Sequence, residues 1–320
     1  MSAVLFVSNH SLERDENLRA VWDAYDGPKV FMRGVDNVAG VSGKYPVVVC
    51  DTLMPFDPNK RYIAVNIGHG VTGGKLYGND EQRAGIDPRA LAQTDYAIST
   101  SKAMVPIVAR QFGIPEERVL PFGMPRTDWY AGKQKGDGGT LLADYRRAYL
   151  YAPTFRGSND GDRLPRIDWA RVDGLLEDDE VLVVKRHYYT RDALVDRQCE
   201  KVVEVSYDEP SAAYLMDCDV IATDYSSIVL DAYILGKPSV LLVDDMEAYL
   251  RSRGMYLEYP TGYGSRWLRA EGNEQRWVEH MRAAVVTGMR GNEKRCREVT
   301  ADRCDGHSAE RVCELIERLT

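Results

Sequence analysis

The sequence predicts an α/β protein made of two doubly wound parallel sheets. Three observations carry that expectation. Short apolar runs alternate with helical patterns along most of the chain. The alternation breaks at a polar, glycine-rich stretch, Lys133-Gln-Lys-Gly-Asp-Gly-Gly139, and then restarts. The length of 320 residues suits two domains at roughly 150 residues each. The expected division is 1–138 and 139–320, with Lys133–Gly139 as a loop or linker by composition.

In the first half, Val4–Ser8 is a strand and a helix follows from about Ser11, a plausible N-cap, to Tyr25. Leu18, Val21, Trp22 and Tyr25 give that helix its apolar spacing. Lys29–Met32, Val47–Cys50, Tyr62–Ile67, Tyr96–Ser99 and Arg118–Pro121 follow as strands. Lys102–Phe112 reads as a helix ended by Gly113. In the second half the strands are Tyr149–Pro153, Val181–Lys185, Val202–Val205, Val220–Thr223 and Val240–Val243. Ser211–Met216 and Ser226–Leu235 are helices, and from about Gly272 the chain is helical to its end. The continuous run Val-Leu-Val-Val at 181–184 fits a parallel strand buried on both faces.

Composition narrows the function classes. The chain is 44% hydrophobic and 28% charged, as in an ordinary globular protein. Its net charge of -8 argues against a duplex-binding face, so no nucleic-acid partner is expected. A local basic pocket for a small anion remains compatible with it. The six cysteines form no C-x-x-C pair and the five histidines are scattered, so no zinc-ligand spacing, metal site or cofactor is expected. The cysteines read as reduced thiols of a cytosolic protein. The first residues read as a strand and not a signal peptide. No run approaches the ~20 apolar residues of a membrane span, so any membrane role would be peripheral.

Ligands of doubly wound sheets bind beyond the carboxyl ends of the strands. That rule selects Asn66–Gly70, Phe122–Asp128, Thr154–Arg156, Arg186–Tyr188 and Asp224–Ser227. In Asp219-Val-Ile-Ala-Thr-Asp-Tyr-Ser-Ser-Ile-Val-Leu-Asp231 a strand ends at Thr223 and two serines open a helix. Free backbone N–H groups and two hydroxyls there suit phosphate, although simple N-capping by Ser226 or Ser227 explains the pattern too. Lys185-Arg-His187 places three cationic or potentially cationic groups at one strand end, for anion neutralisation or as a solvated loop. His69, between Gly68 and Gly70, is a candidate general base, with a core histidine as the plain alternative. Arg126 and Arg156 are candidate phosphate contacts, or turn residues covering a surface. Gly68, Gly70 and Gly73 match G-x-G-x-x-G but follow the fourth strand, and Gly74-Lys75 fails as the end of a P-loop.

Together these segments resemble the CDP-glycerol glycerophosphotransferase family of teichoic-acid and capsule synthesis. The resemblance runs in order through His69-Gly70, Gly123–Asp128, Ala152–Arg156, Lys185-Arg-His187, Thr223-Asp-Tyr-Ser-Ser-Ile228 with Asp231, Gly236-Lys-Pro238, Gly254-Met-Tyr256, and Asp305-Gly306 with Ala309 and Arg311. Departures from the family's usual pattern fall at Gly68, Lys75, Phe155 and Tyr188. The resemblance implies a GT-B-like fold, two Rossmann-like domains facing across a cleft, with the acceptor on 1–138 and the CDP-polyol donor on 139–320.

It also implies transfer of glycerol phosphate from CDP-glycerol to a lipid-linked or polymer acceptor, with release of CMP, in the cytoplasm or at the cytoplasmic face of the membrane. His69 would be the base. His187 with Lys185 would stabilise the transferring phosphate, and Ser226 and Ser227 would bind the pyrophosphate. Arg126 and Arg156 would be further phosphate contacts, and Thr223 and Asp231 would position donor or helix. Alternatives are a CDP-ribitol-dependent transferase, a GT-B glycosyltransferase using a nucleotide sugar, a non-catalytic nucleotide-binding protein and, most distantly, a dehydrogenase.

Overall fold

The computed structural model describes residues 2–71, 73, 88–91, 93–156, 164–187, 190, 194–195 and 198–320. Gly74, Lys75 and Tyr188, singled out in the sequence, lie outside the described residues. The chain divides into two compact units. One comprises 1–72, 77–131 and 299–320, and the other 73–76 and 132–298.

The first unit holds a parallel sheet of β1 (Val4–Ser8), β2 (Lys29–Arg33), β3 (Val47–Cys50), β4 (Ile63–Asn66), β5 (Tyr96–Ile98) and β6 (Val119–Leu120), in the order β2-β1-β3-β4-β5-β6. β1 and β3 are buried along their whole length, as expected of strands covered on both faces. Helix α1 is Glu16–Ala24, shorter than the expected 11–25. Asp15 and not Ser11 caps it, its carboxylate accepting the Leu18 N–H at 2.9 Å. The Ser11 carbonyl instead takes the Arg14 and Asp15 N–H groups in a turn. Helix α2 (Val105–Phe112) ends at Gly113 with φ +66°, as its sequence predicts.

The second unit holds β7 (Arg147–Tyr151), β8 (Glu180–Lys185), β9 (Val202–Val205), β10 (Val220–Thr223), β11 (Ser239–Leu242) and β12 (Trp267–Leu268). Their order is β12-β11-β10-β7-β8-β9, again all parallel. Helices α3 (Trp169–Leu175), α4 (Ser211–Asp217), α5 (Ile228–Ile234), α6 (Met246–Ser252), α7 (Glu274–Thr287) and α8 (Gly291–Ala301) accompany them. One core joins β7, β8, β10 and β11 to α7 through Tyr149, Tyr151, Leu182, Val240, Trp277 and Met281.

One expectation about organisation is sharpened and one is corrected. The glycine-rich stretch is a loop, mostly exposed, and it is anchored at a buried carboxylate. The Gly136, Gly138 and Thr140 N–H groups and the Thr140 hydroxyl all donate to the buried Asp217 carboxylate at 2.7–2.9 Å. A side chain at Gly138 would meet the Ala213 carbonyl at 2.1 Å, so glycine permits that close approach. The expected domain 139–320 also loses its C-terminus. Helix α9 (Ser308–Leu319) buries Ala309, Val312, Leu315 and Ile316 among Val4, Phe6, Leu18, Val47 and Ile67 of the first unit.

Candidate active site

The two units each present a set of the predicted residues at the carboxyl edge of a sheet. In the second unit β7, β8 and β9 step one way from the centre, and β10, β11 and β12 the other. The order reverses between β7 and β10, where a doubly wound sheet opens its ligand crevice. Ala152–Arg156 leaves β7 at that point, and Asp224–Ser227 leaves β10.

Asp224 ties the two exits together. Its carboxylate accepts the Thr154 N–H at 2.8 Å and the Tyr225 N–H at 2.6 Å, and pairs with Arg156 at 2.8 Å. Thr223, fully buried, donates its hydroxyl to the Ala152 carbonyl at 2.7 Å. Tyr225 turns inward, stacks on Tyr249 at 3.8 Å between ring centroids, and donates its hydroxyl to Asp245 at 2.8 Å. Burial, then the Asp245 charge, keep the Tyr225 phenol protonated far above its usual range. Asp and Tyr of the motif are therefore anchors. Ser226 and Ser227 are left half-buried at the start of α5. The Ser226 hydroxyl accepts the Ile228 N–H at a long 3.4 Å. Asp231, on α5, is buried.

Arg156 departs from its expected role as a phosphate contact. Its Nε and Nη2 donate to Asp245 at 2.8 and 3.1 Å and Nη1 donates to the Thr154 carbonyl at 2.6 Å, while Nη2 forms an ion pair with Asp224 at 2.8 Å. The side chain is 7% exposed and lies over the rings of Tyr225 and Tyr249. Burial works against its charge, but Asp224 and then Asp245 outweigh that and hold the guanidinium more firmly protonated than usual. A cation so engaged fixes the turn rather than an external anion. Asp245, which supplies half of this clamp, carried no signal in the sequence, because nothing local links it to residue 156.

Next to β7, the end of β8 carries Lys185 and His187. Lys185 is buried, and its ammonium donates to the carbonyls of Ser206 and Tyr207 at 3.4 and 3.3 Å. The half-buried His187 ring lies against Phe155, with centroids 4.7 Å apart. The structure thus gathers Lys185, His187, Ser226, Ser227, Thr223 and Arg156 on one sheet edge.

In the first unit His69 follows β4 and is exposed, so the core-histidine alternative fails. The loop before it is held by Asn17 of α1, a residue missed in the sequence. The buried Asn17 amide donates to the Ile67 and Gly68 carbonyls at 2.9 and 2.6 Å, and its oxygen accepts the Arg126 N–H at 3.1 Å. That set fixes the amide orientation, since the flipped form would face two carbonyls with an oxygen. Gly68 sits at φ +63°, a left-handed conformation that glycine adopts without strain. Arg126 donates from Nη1 to the His69 carbonyl at 2.6 Å, so it braces the histidine loop.

Two sequence motifs of this unit prove to be one joint. Asp128 accepts the Ser308 and Ala309 N–H groups at 3.0 and 2.7 Å and so caps α9. Arg311 donates to the Phe122 carbonyl at 3.0 Å and to Asp305 at 2.6 Å. At the ends of β1 and β3, where this sheet's order reverses, Asp51 is buried beside Asp15. Burial, then the Asp15 charge and hydrogen bond, push the Asp51 carboxyl up to about 8.

Among the described residues no group of three or more His, Cys, Asp or Glu side chains could hold a metal ion, and no helix is long and apolar enough to cross a membrane.

Comparison with known proteins identifies the family and the fold. A sequence family described as CDP-glycerol:poly(glycerophosphate) glycerophosphotransferase matches residues 42–318. The teichoic acid ribitol-phosphate primase of Bacillus spizizenii is 32% identical over 179 residues, covering 52% of this chain and 45% of the relative. The teichoic acid glycerol-phosphate primase of Bacillus subtilis is 30% identical over 167 residues, covering 52% of this chain and 44% of the relative. The match thus spans less than half the length of these relatives. Among solved structures, the wall teichoic acid polymerase TagF superposes with a TM-score of 0.76 at 17% identity, covering 99% of this chain and 88% of that one. The UDP-GlcNAc 2-epimerase of Neisseria meningitidis superposes with a TM-score of 0.59 at 11% identity, covering 99% of both chains. The fold is GT-B-like, and the chain belongs to the CDP-glycerol:poly(glycerophosphate) glycerophosphotransferase family.

Proposed function

We propose that the protein transfers glycerol phosphate from CDP-glycerol to an acceptor hydroxyl and releases CMP, in the synthesis of a teichoic-acid-like or capsule polymer. The observation that carries the reading is the serine turn at the crevice of the second sheet, between β7 and β10, with Lys185 and His187 on the adjacent strand end. The acceptor oxygen bonds to the phosphorus that bears glycerol. The bond from that phosphorus to the bridging oxygen breaks, and CMP leaves with the electron pair. Such transfers rely on positioning and charge stabilisation.

In this reading the exposed His69 imidazole takes the proton of the attacking hydroxyl, with Asn17 and Arg126 bracing its loop. His187 and Lys185 stabilise the transferring phosphate, and Ser226 and Ser227 hydrogen-bond the pyrophosphate. Thr223, Arg156 and Asp231 hold the turn that presents them. The acceptor is a lipid-linked or growing polymer, met at the cytoplasmic face of the membrane.

CDP-ribitol is the second reading, favoured by the 32% identity to a ribitol-phosphate primase. Incubation with CDP-glycerol, CDP-ribitol and UDP-sugars, with detection of CMP or UDP, separates these donors. CMP release from CDP-glycerol is expected, and release of UDP alone would overturn the reading. A positioned base contributes ~10²–10⁴-fold, so His69→Ala should lower turnover by that order and leave the melting temperature unchanged.

A further inference from the structure

Among the described residues four cationic side chains surround the exits of β7 and β8, and three of them have assigned partners. Arg156 is clamped by Asp224 and Asp245. Arg186 pairs with Glu204 at 3.0 Å. Lys185 is turned into the carbonyls of Ser206 and Tyr207. The fourth, Arg253, differs. It follows α6, and its backbone N–H is fixed to the Tyr249 carbonyl at 2.9 Å, on the helix that carries the ring stacked against Tyr225. Its guanidinium carbon lies 5.2 Å from the centre of the Phe155 ring. The guanidinium makes no hydrogen bond or ion pair with any described residue, yet Arg253 is half-buried.

A partly desolvated guanidinium without a carboxylate is stabilised by an aromatic face, but its N–H groups still need acceptors. Their fork matches a phosphate. The same Phe155 ring lies 4.7 Å from the His187 ring, so one aromatic side chain holds close together an imidazole and a guanidinium that no described residue pairs.

We infer that Arg253 binds the phosphate nearer the polyol in the CDP-polyol donor, held beside His187 by Phe155. This rests on the donor reading above and names a contact that the expected residues do not supply, because Arg156 is already engaged by carboxylates. The side chain steadies negative charge on the oxygens of the phosphoryl group that is attacked and leaves the cytidine-bearing phosphate to the serine turn.

The test compares CDP with CMP, which lacks the second phosphate. Isothermal titration calorimetry on the full chain, at one fixed salt concentration, measures both ligands with wild type, Arg253→Met and Arg253→Lys. A charge-assisted phosphate contact is worth about 10- to 100-fold in affinity. Arg253→Met should therefore weaken CDP by that factor and CMP by less than about threefold, with Arg253→Lys in between. Unchanged CDP affinity in Arg253→Met, or equal loss for CDP and CMP, overturns the contact while leaving the donor reading intact. A folded wild type that binds neither nucleotide overturns both. Arg253→Lys keeps the stem and charge, so it still decides the matter should the methionine variant fail to fold.

Discussion

Replacing Arg156 by methionine separates a clamp from a ligand contact. The wild-type cluster sets one cation against two buried carboxylates, Asp224 and Asp245, at 2.8–3.1 Å. Methionine preserves the stem over Tyr225 and Tyr249 but leaves two like charges together in a dry pocket. Breaking a buried pair from one side costs about 3–5 kcal/mol, and the upper part of that range applies because two acids lose their partner. Asp245→Asn leaves a one-to-one pair with Asp224 and should cost less, about 1–3 kcal/mol, from the Tyr225 hydroxyl and the Arg156 N–H groups it fails to satisfy. Urea unfolding followed by tryptophan fluorescence measures both. An Arg156→Met protein within about 1 kcal/mol of wild type, with its defect confined to nucleotide binding, would refute the clamp.

Glu180, buried at the start of β8, accepts from Arg147, Tyr149 and Arg282 at 2.9–3.0 Å. Burial opposes its charge, but Arg282, the Glu177 backbone, Arg147 and Tyr149 outweigh that and hold the carboxyl near 2 against a usual 4.5. This contribution is complete above pH 4.5 and is lost as pH falls toward 2. Glu180→Gln should lower stability at pH 7 by at most about 3 kcal/mol and flatten the acid limb of a stability–pH curve. Asp51 works in the opposite sense. Its raised folded-state value means that its contribution is complete below 3.8 and is lost as pH rises to about 8. Asp51→Asn should remove a fall of roughly 1.4 kcal/mol per pH unit between pH 5 and 8, read from denaturation midpoints. Asn17→Ala frees the Ile67 and Gly68 carbonyls and the Arg126 N–H. A cost of about 2–3 kcal/mol is expected in chemical denaturation. Turnover should fall more than tenfold while CDP affinity is kept, because the proposed nucleotide site lies on the second unit.

The strands were legible because parallel strands are mostly apolar. Val47–Cys50, Val202–Val205 and Val220–Thr223 form with the bounds read from the pattern. β12, with two residues, is too short to show any pattern, and α3 and α6 went unread. The candidate site could be read where its residues are neighbours in sequence, as in the serine turn or the glycines around His69. It was opaque where function depends on a partner far along the chain. Arg156 looked like an anion contact because its carboxylates come from residues 224 and 245. Arg253 looked unremarkable because its engagement with Phe155 exists only after folding. The glycine-rich stretch left loop and linker both open for a similar reason. Glycine marks both loose chain and close approach, and only the buried Asp217 decides between them.

The joint between Asp128, Arg311 and helix α9 has a consequence for biogenesis. A ribosome finishes β6 by residue 120, yet Val312, Leu315 and Ile316, which close the core behind β1 and β3, emerge only after all of 132–298 has been made. The later segment can complete its own sheet while the earlier one still waits, exposed, for its closing helix. Chains truncated after residue 300 and released should therefore hold a protease-resistant middle and a cleavable front.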